Sequence, residues 1–417
     1  MSNRCSLPQA RPAISTFAAV AAACIAAVLF VVGAGSSANA QSVSVDKKPT
    51  RPERTAAERA DAARQLREVY RSVPATWPAP HVDPGVEWKE IGLVPPVVHP
   101  ESNPLSQGKV TLGKALFHDA RLSASGKIAC VSCHEPNLGW ADGRVVSQPH
   151  ARAPGRNTPT IRNVAYQSFL FWDGRASTLE QQAEEAITDP AEMAASDDHV
   201  VRVLSESPGY RKLYADAFPG RPIEFAQVLE AVACFERTVV GGRSRFDDFM
   251  RGNAAALSDE ELLGLDLFRR DARCMHCHHG PLFSDGRFHD LGLSFYGRIN
   301  ADSGRYGVTG VAADNGRFRT PSLRDVTRTG PLMHNGMFGL SGVLNMYNAG
   351  MVTLKRPASQ EDDPVFPVKS PLLKPLGLNR QDLADLAAFL GALREPRHRE
   401  RPPALPEIDG AGDTAER

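Results

Sequence analysis

Cysteine is scarce in this chain, and an excess of charge of either sign is missing. Seven cysteines are spread over 417 residues. Cys5 and Cys24 fall near the N-terminus, and four others stand in two tight pairs. That distribution excludes a disulfide framework. Cys234, standing alone, reads as a buried free thiol. Lys and Arg number 48 against 48 Asp and Glu, for a formal net charge of +0. The clustered basic excess of a nucleic-acid binder is therefore absent, and that class is excluded. Long apolar runs are also missing beyond residue 33, so nothing further along the chain is expected to cross a membrane.

The exception is the N-terminus. Arg4 and Arg11 precede an apolar stretch from Ala13 to Gly33, and Ala38-Asn39-Ala40 offers a small-x-small cleavage site before Gln41. This is the pattern of a secretory signal. The alternative is an uncleaved anchor, because the run is nearly long enough to span a bilayer. Both readings put the rest of the chain in, or facing, the periplasm.

The two cysteine pairs carry the chemistry. Cys130-Val131-Ser132-Cys133-His134 and Cys274-Met275-His276-Cys277-His278 are both C-x-x-C-H, the attachment signature of c-type haem. Two thiols at this spacing reach one porphyrin edge as thioethers, and the adjacent histidine becomes the proximal iron ligand. The competing reading is zinc, for which C-x-x-C is half a site. Each zinc would need two more Cys or His ligands, and Cys234 is the only other cysteine beyond the N-terminal segment. Two covalently bound haem c groups are expected, with His134 and His278 on the irons.

The motifs lie in an internal repeat. Leu112-Gly113-Lys114-Ala115-Leu116-Phe117 precedes the first, and Leu263-Gly264-Leu265-Asp266-Leu267-Phe268 the second. Trp140-Ala141-Asp142-Gly143 and Phe283-Ser284-Asp285-Gly286 follow the two histidines. A repeat this long is a duplicated domain. Helices are expected from Thr55 to Arg71, from Phe225 to Val239 with Val228, Leu229, Val232 and Phe235 inward, and after Asn379 as N-cap. Gly- and Pro-rich stretches at 148–159 and 302–316 read as loops. The expected class is mainly α, two cytochrome c-like haem domains with long wrapping loops. The expected division is a signal peptide (1–40), an N-terminal extension with a Pro-rich linker (41–100), an N-terminal haem domain (101–252), a C-terminal haem domain (253–395) and a loose tail (396–417).

Longer stretches carry a family resemblance: Leu112 to Ser123, Arg156 to Thr160, Phe171 to Ala176, Phe318 to Arg324 and Gly330 to Gly336. With both haem motifs, they resemble the bacterial di-haem cytochrome c peroxidase and MauG superfamily. The resemblance implies a peroxide-reacting N-terminal haem and an electron-transfer C-terminal haem. It implies Trp172 between the haems, Gln182 and Glu192 in the distal pocket, and calcium held by Asn157 with the carbonyls of Thr329 and Pro331. Ala186 stands where the family often has a proline. A carboxylate suits the pocket because peroxide O–O cleavage needs one group to take a proton and return it.

Sixth ligands separate the subtypes. Asn345 to Gly350 resembles the MauG-like version with Tyr347 as ligand, and Met346 is the alternative. His150 stands where the peroxidases have a histidine on the N-terminal iron; its alternative is an exposed loop histidine. His276, His279, His289 and His334 are assigned no ligation. The leading expectation is a periplasmic peroxidase reducing hydrogen peroxide with electrons from a small cytochrome c or cupredoxin. The second is a MauG-like enzyme that uses peroxide to oxidise Trp or Tyr residues of a protein substrate. The third is a di-haem electron carrier. The family also suggests a homodimer.

Overall fold

The polar helix expected after residue 54 forms in the computed structural model as α1 (Ala56–Tyr70), entered through a capping box between Thr55 and Glu58. Residues 48–147, 155–397 and 400–407 are described, so the N-terminal signal and His150 lie outside the described residues. Beyond α1 come α2 (Gln107–His118), α3 (Leu179–Thr188), α4 (Asp197–Glu206), α5 (Pro208–Ala217) and α6 (Phe225–Glu236). Ser106, Thr178, Ser196 and Ser207 cap α2 to α5, each accepting a backbone N–H of the first turn. These helices bury one apolar cluster, including Leu116, Phe117, Leu204, Tyr210, Val228, Val232 and Phe235.

A second cluster is built from α7 (Arg245–Met250), α8 (Asp259–Arg269), α10 (Leu340–Asn348) and α11 (Arg380–Ala392) with their connections, and the short α9 (Tyr306–Thr309) lies outside it. Phe246, Leu262, Phe268, Phe283, Leu386 and Phe389 are at its centre. The architecture is mainly helical. One two-stranded antiparallel sheet, β1 (Phe288–Asp290) with β2 (Arg317–Arg319), sets His289 opposite Phe318.

The sequence repeat becomes a repeated helix crossing. A Cβ on Gly113 of α2 would lie 1.9 Å from Ala231 O and 3.0 Å from Phe235 Cβ in α6. A Cβ on Gly264 of α8 would lie 2.0 Å from Asp385 O and 2.8 Å from Phe389 Cβ in α11. Only glycine lets the backbones approach this closely. The crossings also align α6 with α11: Ala231 matches Asp385, so Val232 matches Leu386 and Glu236 matches Leu390.

Two segments are more integrated than their composition suggests. The extension packs on the second cluster: Arg59 forks onto Asp385 at 2.7 and 2.8 Å, Tyr70 Oη donates to Asp266 at 2.8 Å, and Trp77 and Ile91 are buried. The end of the chain, expected to be loose, is strapped down at Glu395 and over 400–407. Buried Glu395 accepts from the N–H groups of Gly242 and Arg243 at 2.7 and 3.1 Å. Arg121 donates to Pro406 O at 2.8 Å, and Ser207 Oγ to Glu407 O at 2.5 Å. A proline-rich strand offers few donors, so it is held through its carbonyls.

Gly113→Ala and Gly264→Ala should each cost about 1–3 kcal/mol by overpacking. Gly391→Ala in α11, where no atom lies within 4 Å of the added Cβ, should be neutral or gain up to about 1 kcal/mol. Urea titration of the three variants checks this.

Candidate functional site

Each C-x-x-C-H motif folds as a single tight turn, Cys130–Ser132 in the first and Cys274–His276 in the second. His134 N donates to Cys130 O at 2.9 Å and His278 N to Cys274 O at 2.8 Å, bringing thiols and imidazole onto one wall. The rings are then fixed in the same way. His134 Nδ1 meets Trp140 O at 3.1 Å, and His278 Nδ1 meets Phe283 O at 2.8 Å. A carbonyl only accepts, so Nδ1 carries the hydrogen and Nε2 keeps its lone pair for a metal. Both residues whose carbonyls accept these bonds are aromatics in the left-handed region, with φ of 65° at Trp140 and 55° at Phe283. That strain costs of order 1–3 kcal/mol each and is stored at the same point of both halves. Burial keeps both imidazoles neutral by pushing their pKa values down.

Each motif opens on its own large cavity. The first is lined by Cys130, Cys133 and His134, the second by Cys274, Cys277 and His278. All four thiols are free. Burial pushes Cys133 up to about 11 and Cys274 and Cys277 up to about 12, with Cys130 raised further. Zinc would need these sulfurs as thiolates with two more ligands. Among the described residues, the only cluster of three potential ligands is Cys277, Asp285 and His289, which omits Cys274 and His278. Asp285 and His289 are already bonded to each other at 2.8 Å. Two neutral thiols, one oriented imidazole and a deep apolar cavity per motif fit a haem.

The two cavities differ in acid–base equipment. The first holds Glu192 and, on α3, Gln182. Burial, then the nearby Asp189 charge, pushes the Glu192 carboxyl up to about 7. Glu236, which sequence reading passed over, lines the same cavity from α6. It is 4% exposed with Oε2 unpartnered, and burial pushes it up to about 8. Its signal was a carboxylate one helical turn after Val232, on a face otherwise apolar. The second cavity has no carboxylate among its described lining residues. It has Tyr347 from α10, whose phenol is raised by burial and by the thiols of Cys277 and Cys274. Met346 is not among the lining residues.

Trp172 lines both cavities. Its Nε1 donates to Asn157 O at 2.8 Å, and its own carbonyl accepts from Arg319 N at 2.8 Å. Asn157, 6% exposed, donates its amide N–H to His334 O at 2.8 Å and Nδ2 to Arg144 O at 2.8 Å, leaving Oδ1 as its oxygen for a cation. Thr329 and Pro331 share the second cavity wall with Asn157. His334 stacks on Phe318 at 3.5 Å, and burial takes its pKa to about 4. His276 is tied up away from any metal: its Nδ1 meets Arg273 O at 2.9 Å and its Nε2 accepts from Asp83 N at 3.0 Å. His279 is half-buried and is not among the residues lining either cavity. Arg319 lines both cavities and was not singled out in the sequence.

The profile of the di-haem cytochrome c peroxidase family matches residues 107–255. The chain is 40% identical over 301 residues to the methylamine utilization protein MauG of Methylorubrum extorquens, covering 72% of this chain and 81% of that protein. It is 38% identical over 337 residues to the cytochrome-c peroxidase IdrP1 of Denitromonas iodatirespirans, covering 73% and 86%. Among solved structures, a MauG-like protein associated with microbial copper homeostasis superposes with a TM-score of 0.65 at 34% identity, over 74% of this chain and 95% of that one. The diheme peroxidase BthA of Burkholderia thailandensis superposes with a TM-score of 0.59 at 25% identity, over 76% and 94%. The chain belongs to the di-haem cytochrome c peroxidase and MauG family, and is an oxidoreductase of the peroxidase class.

Proposed function

We propose that this protein is a periplasmic peroxidase that reduces hydrogen peroxide to water in the first cavity and takes electrons in through the second. One observation carries the reading. Buried carboxyls, Glu192 and Glu236, line the Cys130–His134 cavity, and no carboxylate is among the described lining of the Cys274–His278 cavity. Cys130 with Cys133, and Cys274 with Cys277, would hold the two haems as thioethers, and His134 and His278 would ligate the irons. The haem iron, when bound, supplies the redox equivalents for O–O cleavage.

The side chains supply the rest. Reduction of one peroxide to two waters consumes two electrons and two protons. Glu192 takes a proton from one peroxide oxygen, and its acid form returns it to the other. A pKa near 7 suits both directions. Gln182 orients peroxide beside it by hydrogen bonding. Trp172, in the wall common to both cavities, shortens the electron path between the haems. Asn157, with the carbonyls of Thr329 and Pro331, holds a calcium ion through oxygen ligands. Tyr347 would be the phenol that ligates the iron in the second cavity, a reading supported by its place in the lining and the absence of Met346 from it. The donor is a small cytochrome c or cupredoxin.

The Tyr347 assignment also favours a second reading, MauG-like oxidation of aromatic residues on a partner protein. An anionic oxygen ligand holds iron in higher oxidation states better than a thioether does. Reduced cytochrome c mixed with peroxide and the pure protein separates the two. Rapid turnover is expected for the first reading, and negligible turnover would leave the second.

Glu192→Gln should slow reaction with peroxide by about 10²-fold or more. In the native protein the rate should rise with pH through about 7 as the base form appears, and stopped-flow kinetics should find that rise absent from the variant. Tyr347→Met should raise the reduction potential of the C-terminal haem, read by spectroelectrochemistry. Glu236 gives a pH signature in stability. Its folded-state pKa of about 8 lies above that of a free carboxyl, so the folded protein retains a proton that the unfolded chain releases. Stability from this group is full in acid and declines as pH rises to about 8. Glu236→Gln should flatten that decline in urea titrations across the range.

A further inference from the structure

Arg319 is a buried cation with no anion. It ends β2 at 5% exposure. Its guanidinium donates only to backbone carbonyls, Nε to Phe171 O at 3.3 Å and an Nη to Thr320 O at 3.4 Å. The other buried arginines each meet a carboxylate: Arg237 meets Glu180 at 2.8 Å, Arg324 meets Asp247 at 3.0 Å, and Arg269 meets Glu90. Among the described residues, no ion pair includes Arg319. Desolvation, unopposed by any carboxylate, lowers its pKa to about 10. An uncompensated buried charge costs several kcal/mol, so this position is built for an anion that the neighbouring side chains do not supply.

The sequence repeat shows how specific the position is. Thr320-Pro321 corresponds to Thr158-Pro159. Thr158 bonds Asp142 at 3.2 Å, and Thr320 contacts the matching Asp285. Arg319 is therefore the counterpart of Asn157, and both residues line both cavities. The two halves each send one residue into the shared wall, a neutral amide from the first and a guanidinium from the second. Hydrogen peroxide is neutral and needs no such partner. A porphyrin held by its thioether edge brings two propionate carboxylates on its opposite edge.

We propose that Arg319 is the counter-charge for a porphyrin propionate in the wall shared by the two cavities. The guanidinium fork suits a carboxylate in bidentate fashion. The inference rests on the haem occupancy of the reading above, but not on peroxide turnover. Neutralising the propionate raises the affinity of that haem for an electron, because a nearby positive charge favours the less positive iron. Arg319 thus binds the cofactor and sets a potential at once.

The test uses the full chain carrying both haems. Reduction potentials of each haem are measured by spectroelectrochemistry, without peroxide or donor, for wild type, Arg319→Gln and Arg319→Lys, with and without chloride. The potential of at least one haem should fall in Arg319→Gln by about tenfold in the reduced-to-oxidised ratio, 59 mV for one electron. Arg319→Lys should keep most of the wild-type value, and chloride should have no effect. The haem that shifts identifies whose propionate is held. Unchanged potentials in a fully loaded Arg319→Gln would overturn the proposal. So would reproducing the shift in wild type by removing chloride, which would mark an exchangeable small ion. If Arg319→Gln takes up no haem, Arg319→Lys decides. Full loading with near-wild-type potentials supports the counter-charge role, and failure to load or a large shift overturns it. Loss of peroxidase activity alone would count against the catalytic reading and leave these potentials to be judged separately.

Discussion

The rest of the structure depends on two hydrogen bonds, from His134 Nδ1 to Trp140 O and from His278 Nδ1 to Phe283 O. Each fixes a tautomer, aims Nε2 and holds a neutral imidazole at the wall of an apolar cavity. The backbone accepts left-handed aromatic residues to make them, and the helix crossings at Gly113 and Gly264 bring the packed helices close behind each motif. Restraint, strain and close packing recur together in both halves. A duplicated unit evolves its two copies under one geometric requirement, and here that requirement is an oriented metal ligand beside a dry cavity.

On this common frame the two halves diverge at matched positions. Glu236 lines the first cavity where Leu390 lines the second, and Arg319 stands where the first half has Asn157. The first cavity acquires carboxyls whose pKa values burial lifts towards neutrality. The second has no carboxylate among its described lining residues and carries the Tyr347 phenol. In the proposed reading, this is how one fold runs proton-coupled chemistry at one end and plain electron transfer at the other. Trp172, clamped at its indole nitrogen and at its carbonyl, stands in the wall common to both.

Much of this was legible in the sequence because it rests on local patterns. The motif spacings, the Gly113 and Gly264 repeat, the Thr55 and Asn379 caps and the inward face of α6 all follow from short-range geometry. Family resemblance pointed to Glu192, Gln182 and Trp172, which the fold brings to one cavity. What stayed hidden depends on distant partners or on their absence. Arg319 is unremarkable until every carboxylate is seen to lie elsewhere. Glu236 resembles an ordinary helix-end charge until its burial is known. The extension reads as a linker by composition, yet Arg59, Tyr70 and Glu90 anchor it to α8 and α11. The end of the chain reads as loose because its anchors, the Glu395 and Glu400 carboxylates and the carbonyls of Pro406 and Glu407, meet partners far away in the sequence.

The central claim of the proposed reading is that iron porphyrin is covalently held at both C-x-x-C-H motifs. Denaturing intact-mass analysis of the exported protein, together with its Cys130→Ala/Cys133→Ala and Cys274→Ala/Cys277→Ala variants, tests this most directly. The account predicts two added haem masses in the native chain and one in each variant. A native chain carrying fewer than two, or zinc in place of either, would contradict it.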